Sequence, residues 1–170
     1  ESCMAQPHEI LSKLIAQYEG YFDIEQPHIY GNKEIPAYAH YKQRTERYML
    51  SKKAQLYATE IDEHVFFVHI PFLDKTTWET EKNLIINAER DYVVPHSEHM
   101  YSYITLILLC EELDNQITGD IRKLRYAKNY KFSLHGYSTV RIAVLDIKSG
   151  NIFTNSRGKE LRKVLEYALK

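Results

Sequence analysis

The segment Tyr103-Ile-Thr-Leu-Ile-Leu-Leu-Cys110 constrains the fold more than any other stretch of the chain. It is apolar on most sides, so whatever it forms must be covered all round by the rest of the chain. A membrane span needs roughly 20 apolar residues, so this run belongs in a protein core. Ser97 stands upstream as a candidate N-cap. The spacing predicts a central buried helix from Ser97 to about Asp114, with Ile104, Ile107, Leu108 and Cys110 inward.

A chain of 170 residues can bury one such core without staples. Residues 1–170 are expected to form a single globular domain, with 1–6 disordered or extraneous. Hydrophobic residues at 44% and charged residues at 26% are an ordinary globular balance, which argues against disorder.

Pro7 and Gly20 bracket a helix carrying Ile10, Leu11, Leu14, Ile15 and Tyr18 at helical spacing. Residues 20–36 read as an ordered loop. Three strands follow: Ala37 to Tyr48, Ala54 to Ile61, and His64 to Ile70, with Asp62-Glu63 as a tight turn and Pro71 as the stop. Thr76 and Glu79 form a capping box for a helix to about Tyr92. Leu124 to Leu134 reads as one long strand or two short ones, with Tyr130, Phe132 and Leu134 on one face. Thr139 to Ile147 is the clearest strand, turned by Lys148-Ser-Gly-Asn151 onto Ile152 to Thr154. Asn155 or Ser156 then caps a last helix with Leu161, Val164, Leu165 and Ala168 inward. The expected fold is α+β: a mainly antiparallel sheet of about five or six strands, about four helices, and a helix–three-strands–helix duplication.

Several function classes are excluded or weak. Rossmann, Walker and Gly-x-Ser-x-Gly patterns do not occur. No signal peptide opens the chain, no membrane span occurs, and Asn-x-Ser/Thr is absent, so a cytoplasmic protein is expected. Cys3 and Cys110 read as a terminal thiol and a buried thiol rather than a disulfide. His96 and His99 lack an evident third ligand and read as polar surface. No cofactor and no metal ligand are therefore expected. Asp146-Ile-Lys148 fits half of a metal-dependent nuclease motif, which needs a second carboxylate from Asp120 or Glu60; a turn explains the same residues. A nuclease-like hydrolase using Asp146 and Lys148 is the alternative function.

The charge is uneven. Residues 117–170 hold 12 Lys and Arg against 4 Asp and Glu, a net of +8, whereas 1–116 hold 10 against 19, a net of −9. This fits an anionic partner for the basic half, or two halves that neutralise each other. Strand alternation places Tyr57, Lys131, His135 and Arg141 on one solvated face, with Lys42 and Arg44 on the first strand and Arg125 upstream of Tyr130. Such a face suits an anionic small molecule, a nucleic acid or a protein partner. The expected function is thus a non-enzymatic binding or regulatory module. A homodimer joining acidic and basic surfaces also fits.

The stretches Arg47-Tyr-Met-Leu-Ser-Lys-Lys-Ala-Gln-Leu-Tyr57 and Lys128-Asn-Tyr-Lys-Phe-Ser-Leu-His-Gly-Tyr137 resemble a family of short bacterial proteins known as a domain of unknown function. The resemblance covers most of the chain and implies no activity and no site residues. The element order also resembles secretion-chaperone-like folds, which implies a dimeric binding protein by fold analogy alone. Those chaperones are usually acidic, and the basic second half departs from them.

Overall fold

A computed structural model describes residues 6–49 and 55–170, and their side chains except at 47–49 and 55–57. Helix α1 (Pro7–Tyr18) starts on its proline and buries Ile10, Leu14, Ile15 and Tyr18. Residues 20–36 carry three short strands rather than loop alone: β1 (Asp23–Glu25), β2 (His28–Tyr30) and β3 (Lys33–Ile35). Strand β4 (Ala37–Met49) pairs antiparallel with β5 (Gln55–Leu73).

Strand β5 corrects the reading of two strands joined at Asp62-Glu63. Both residues sit mid-strand, opposite Lys42 and Tyr41 of β4. Adjacent acidic residues suggest a turn locally, but alternation sends them to opposite faces, where each finds partners. The segment joining β4 to β5 and Ala54 lie outside the described residues. Strand β5 also continues through Pro71. Pairing with β4 begins only at Phe67, so Pro71 sits where that edge of β5 carries no β4 partner and needs no donor.

Helix α2 (Lys75–Tyr92) is capped two residues ahead of Thr76, by Asp74, whose carboxylate accepts the Thr77 amide at 2.8 Å. The predicted helix at 97–114 is instead β6 (His99–Leu113), which lies parallel to β5 on one side and to the strand Tyr137–Asp146 on the other. Its apolar run has no alternation because both faces of the sheet are covered, and a run buried on both faces mimics a buried helix in sequence. Helix α3 (Thr118–Lys123) was not anticipated. The strand expected over 124–134 shrinks to β7 (Ala127–Asn129). Beyond it Lys131, Phe132 and Ser133 hold left-handed backbone (φ 46, 53 and 70), so residues 130–136 form a turn to which strand alternation does not apply. Phe132 and Leu134, expected inward, are exposed. Strand β8 (Tyr137–Asp146), strand β9 (Asn151–Thr154) and helix α4 (Leu161–Ala168) stand where the sequence placed them.

The sheet order is β1-β4-β5-β6-β8-β7, with β9 also on β8, and β2-β3 form a separate hairpin. The α+β class and the number of α-helices among the described residues agree with expectation, although α3 takes the place of the helix expected at 97–114. The sheet does not: its centre is parallel, because β5, β6 and β8 are joined by crossovers carrying α2 and α3. This connectivity also removes the proposed duplication.

Helices α2 and α3 cover one face, burying Trp78, Phe66, Ile104, Leu106 and Ile142. Helices α1 and α4 cover the other, burying Val65, Phe67, Ile107, Leu109 and Leu145. Strands β7 and β9 occupy two ends of one edge of β8 and leave a gap. The Asn155 side chain fills it: Oδ1 accepts the Ile142 amide at 3.0 Å, and Nδ2 donates to Val140 O at 3.0 Å and Leu124 O at 3.2 Å. Among the described residues no helix is long and apolar enough to cross a membrane.

Candidate metal centre

The strand parity that buries Tyr38 and Phe66 beneath α2 continues past the end of that helix. There it presents His40, Lys42 and Arg44 from β4 and Glu60, Asp62 and His64 from β5. The register sets His40 opposite His64, Lys42 opposite Asp62 and Arg44 opposite Glu60. Tyr92 closes one side of the resulting cleft, the segment with Val94 and His96 another, and His99 of β6 the floor. The cavity measures about 230 Å³.

At its centre the His40 and His64 rings stack, 4.4 Å apart and 8° from parallel. Asp62 Oδ2 lies 3.0 Å from His64 Nε2 and 3.7 Å from His40 Nε2. His40 Nε2 is buried and has no hydrogen-bond partner. A buried ring nitrogen left unpaired is costly unless something else occupies it. Among the described residues, one group of His, Cys, Asp or Glu has three ligand atoms within 4.8 Å of one another: His40, Asp62 and His64. Around an ion with bonds of about 2.1 Å, neighbouring donors stand about 3.0 Å apart in octahedral and about 3.4 Å in tetrahedral geometry. The 3.0 Å spacing from Asp62 to His64 falls in that range, and the 3.7 Å spacing to His40 is about 0.3 Å wider.

An outer layer orients these groups, as metal sites require. The Tyr38 hydroxyl is 2.6 Å from His64 Nδ1, and Tyr38 is itself stacked on His28 at 4.4 Å. His28 Nε2 is held by the Tyr92 hydroxyl at 2.7 Å. Burial, reinforced by Tyr92, Asp62 and Glu25, pushes the Tyr38 hydroxyl well above its ordinary value, so it stays a phenol. The Ser102 hydroxyl donates to Asp62 Oδ1 and lies 2.8 Å from His99 Nε2. His99 Nδ1 donates to the His135 carbonyl at 2.7 Å, which assigns that nitrogen its proton. Burial opposes ionisation of Asp62, but His40, His64 and Ser102 together outweigh it and hold the carboxyl well below the usual range.

The rim is polar. His96 Nδ1 accepts the Glu98 amide at 3.2 Å, so its Nε2 carries the hydrogen donated to Glu60 Oε2 at 2.7 Å. Glu60 also receives Lys42 at 3.4 Å and Arg44 at 3.1 Å. Burial pulls against it, yet His96, Arg44 and Lys42 keep its carboxyl below the ordinary value. Arg44 binds Glu98 as well.

The residues expected to share one solvated face are divided. Lys42 and Arg44 stand on the cleft rim. Lys131 and His135 belong to the left-handed turn beside it, which touches the cleft through the His135 carbonyl. Desolvation, then Lys131, His96 and His99, lower the tendency of His135 to take a proton. Arg141 is on the opposite face, buried against Glu63 at 3.3 Å. Arg125 lines a separate cavity with Arg157. The Tyr57 side chain lies outside the described residues. The uneven charge is in part internal neutralisation, since Arg141–Glu63 and Lys148–Glu112 join the two halves.

The nuclease motif is a turn. Asp146 Oδ1 accepts the amides of Lys148 at 3.1 Å and Ser149 at 3.4 Å, and Lys148 Nζ pairs with Glu112. Among the described residues Asp146 joins no metal-ligating group. Cys110 is buried, with its thiol pushed up to about 12 by that burial and then by Asp146, while Cys3 lies outside the described residues.

Residues 6–167 match the family described as Domain of unknown function (DUF8052). The chain belongs to the DUF8052 family. No curated protein and no solved structure matches it. Membership brings this DUF8052 chain no site residues, so the cleft stands on its own geometry. The centre is hidden in the sequence because Asp62-Glu63 reads locally as a turn and His64 as the start of a strand. The available signal was Asp62-x-His64 on one strand facing Tyr38-x-His40 on its neighbour, a pattern visible only if residues 55–73 are taken as one strand.

Proposed function

We propose that this DUF8052 chain is a binding module built around a divalent transition-metal ion held by His40, Asp62 and His64, whose open side receives an anionic ligand. The observation that carries this reading is the buried, unpartnered Nε2 of His40 beside Asp62 and His64. Two imidazoles and one carboxylate suit zinc, iron(II), cobalt(II) or nickel(II) better than calcium or magnesium. Three protein ligands leave a coordination position open toward the cavity, the arrangement of sites that bind a further group. Lys42 and Arg44 at the rim favour a negatively charged one. The ion would draw the imidazoles and Asp62 together and offset the repulsion between Glu60 and Asp62, two residues apart on one face of β5.

A second reading is metal-assisted hydrolysis, with the ion activating a water. It is favoured by Glu60, a carboxylate in the same cavity that the His96 Nε2–H holds in place.

Calorimetric titration with Zn²⁺ and visible spectroscopy with Co²⁺ test the proposal. Expected are one site per chain, tetrahedral or five-coordinate cobalt bands, and at least about a tenfold weaker affinity in Asp62→Asn and in His40→Ala. Folded wild-type protein that takes up neither ion at millimolar concentration rules the metal out. Ester or phosphoester turnover that depends on the ion and vanishes in His96→Ala would favour the hydrolytic reading.

A further inference from the structure

On the face opposite the cleft, Arg141 stands near the middle of β8 with only 9% of its surface exposed. One arm, NH1, reaches Glu63 Oε1 at 3.3 Å, and the guanidinium lies over the Tyr103 ring at 4.9 Å. Glu63 is already engaged by the Thr105 hydroxyl at 2.8 Å. Arg141 Nε is buried and has no hydrogen-bond partner. A shielded guanidinium with an unused donor is costly by the same logic as the orphaned imidazole across the sheet.

Arg141 lines a cavity of about 350 Å³ together with Tyr103, Arg157 and Lys159. A neighbouring cavity of about 500 Å³ is lined by Arg125, Thr139 and Arg157. Ser156 and Arg157 border both, so the two cavities adjoin along one groove wall. Four cations face this groove and a single carboxylate, Glu160, lines it. Among the described residues Arg125, Arg157 and Lys159 make no ion pair within 4.0 Å; Arg122 near by is over the Phe153 ring instead.

The placement of these cations is built into the fold. Asn155 Oδ1 accepts the Gly158 amide at 2.9 Å, closing a tight turn over Ser156–Gly158. Gly158 presses on β8 so closely that an added Cβ would lie 2.4 Å from Ile142 O. The segment carrying Arg157 and Lys159 is therefore clamped against the strand that carries Arg141.

We infer that this groove is a second binding site, for the phosphate of a phosphorylated small molecule, with Arg141 at its floor and Arg157, Lys159 and Arg125 at its walls. Guanidinium groups match a phosphate in bidentate geometry, and several converging donors are the usual way proteins hold one. A recessed Arg141 favours a compact ligand that enters the cavity. A nucleic acid would call for cations spaced along an open surface.

Pyrophosphate and inorganic phosphate are the probes, used on the full chain in the presence of EDTA so that no metal takes part. Saturable pyrophosphate binding is expected, with affinity falling as salt rises and at least about tenfold weaker in Arg157→Ala/Lys159→Ala, whose exposed positions leave the fold intact. Asp62→Asn should bind pyrophosphate as wild type does, which separates this site from the metal cleft. Absence of binding by folded wild-type protein overturns the inference. So does equal binding by the double variant, or a single-stranded oligonucleotide that binds more tightly than pyrophosphate and is lost in the same variant.

Discussion

Replacing Asn155 by alanine tests how the open edge of β8 is held. The side chain makes four bonds to backbone: it accepts from Ile142 N and Gly158 N and donates to Val140 O and Leu124 O. Asn155 itself is 1% exposed, so water is a poor replacement. Gly158 N retains a backbone contact to Asn155 O at 3.1 Å, whereas the Ile142 amide is left with no acceptor. A stranded buried amide costs about 1–3 kcal/mol, and each of the other lost bonds about 0.5–1 kcal/mol. The sum for Asn155→Ala is about 2.5–6 kcal/mol, which for a domain of this size lowers the melting temperature by about 5–24 °C. Chemical denaturation with an unchanged m-value, checked by calorimetry, measures it. Asn155→Asp keeps the acceptor but loses both donors and buries a charge, so it should be destabilised too, and should recover ground on Asn155→Ala as acid protonates the new carboxyl. A loss below about 1 kcal/mol in Asn155→Ala would refute the view that this side chain stands in for strand pairing.

Other outcomes follow from the same geometry. The Asp62 carboxyl is held below its ordinary 3.8, so its contribution to stability is present above that pH and is lost as pH falls below it; in metal-free protein the advantage of wild type over Asp62→Asn in urea midpoints should shrink between neutral pH and acid. Gly136 has φ +77, and a Cβ there would lie 2.3 Å from Met100 O, so Gly136→Ala should cost about 2 kcal/mol or more and displace the His135 carbonyl that holds His99; an unchanged urea midpoint contradicts it. In a Cys3→Ser background Cys110 should react with a thiol reagent only at the rate of unfolding, because it is buried and its thiol is pushed up to about 12.

Local signals carried much of the fold. A proline opening α1, alternation in β4 and β8, the Lys148–Asn151 turn and the spacing of Leu161, Leu165 and Ala168 each act over a few residues, and each element formed there. Lys42 and Arg44 were legible as neighbours on one strand face for the same reason. The composition of the chain set only its globular character: enough apolar residues for a buried core, with a run at 103–110 that had to lie inside it.

Only the assembled sheet decided the rest. Whether Tyr103 to Cys110 was helix or strand depended on cover from both faces, which no local period records. Whether Lys131 and His135 joined Arg141 depended on the left-handed turn at 131–133, so the expected single face became two sites on opposite sides. The metal centre needs His40 opposite His64, and the phosphate groove needs Gly158 against Ile142. Those are pairings between residues far apart in the chain, chosen by which register buries the most apolar surface, and a sequence read position by position holds the parts of each site but not the distance between them.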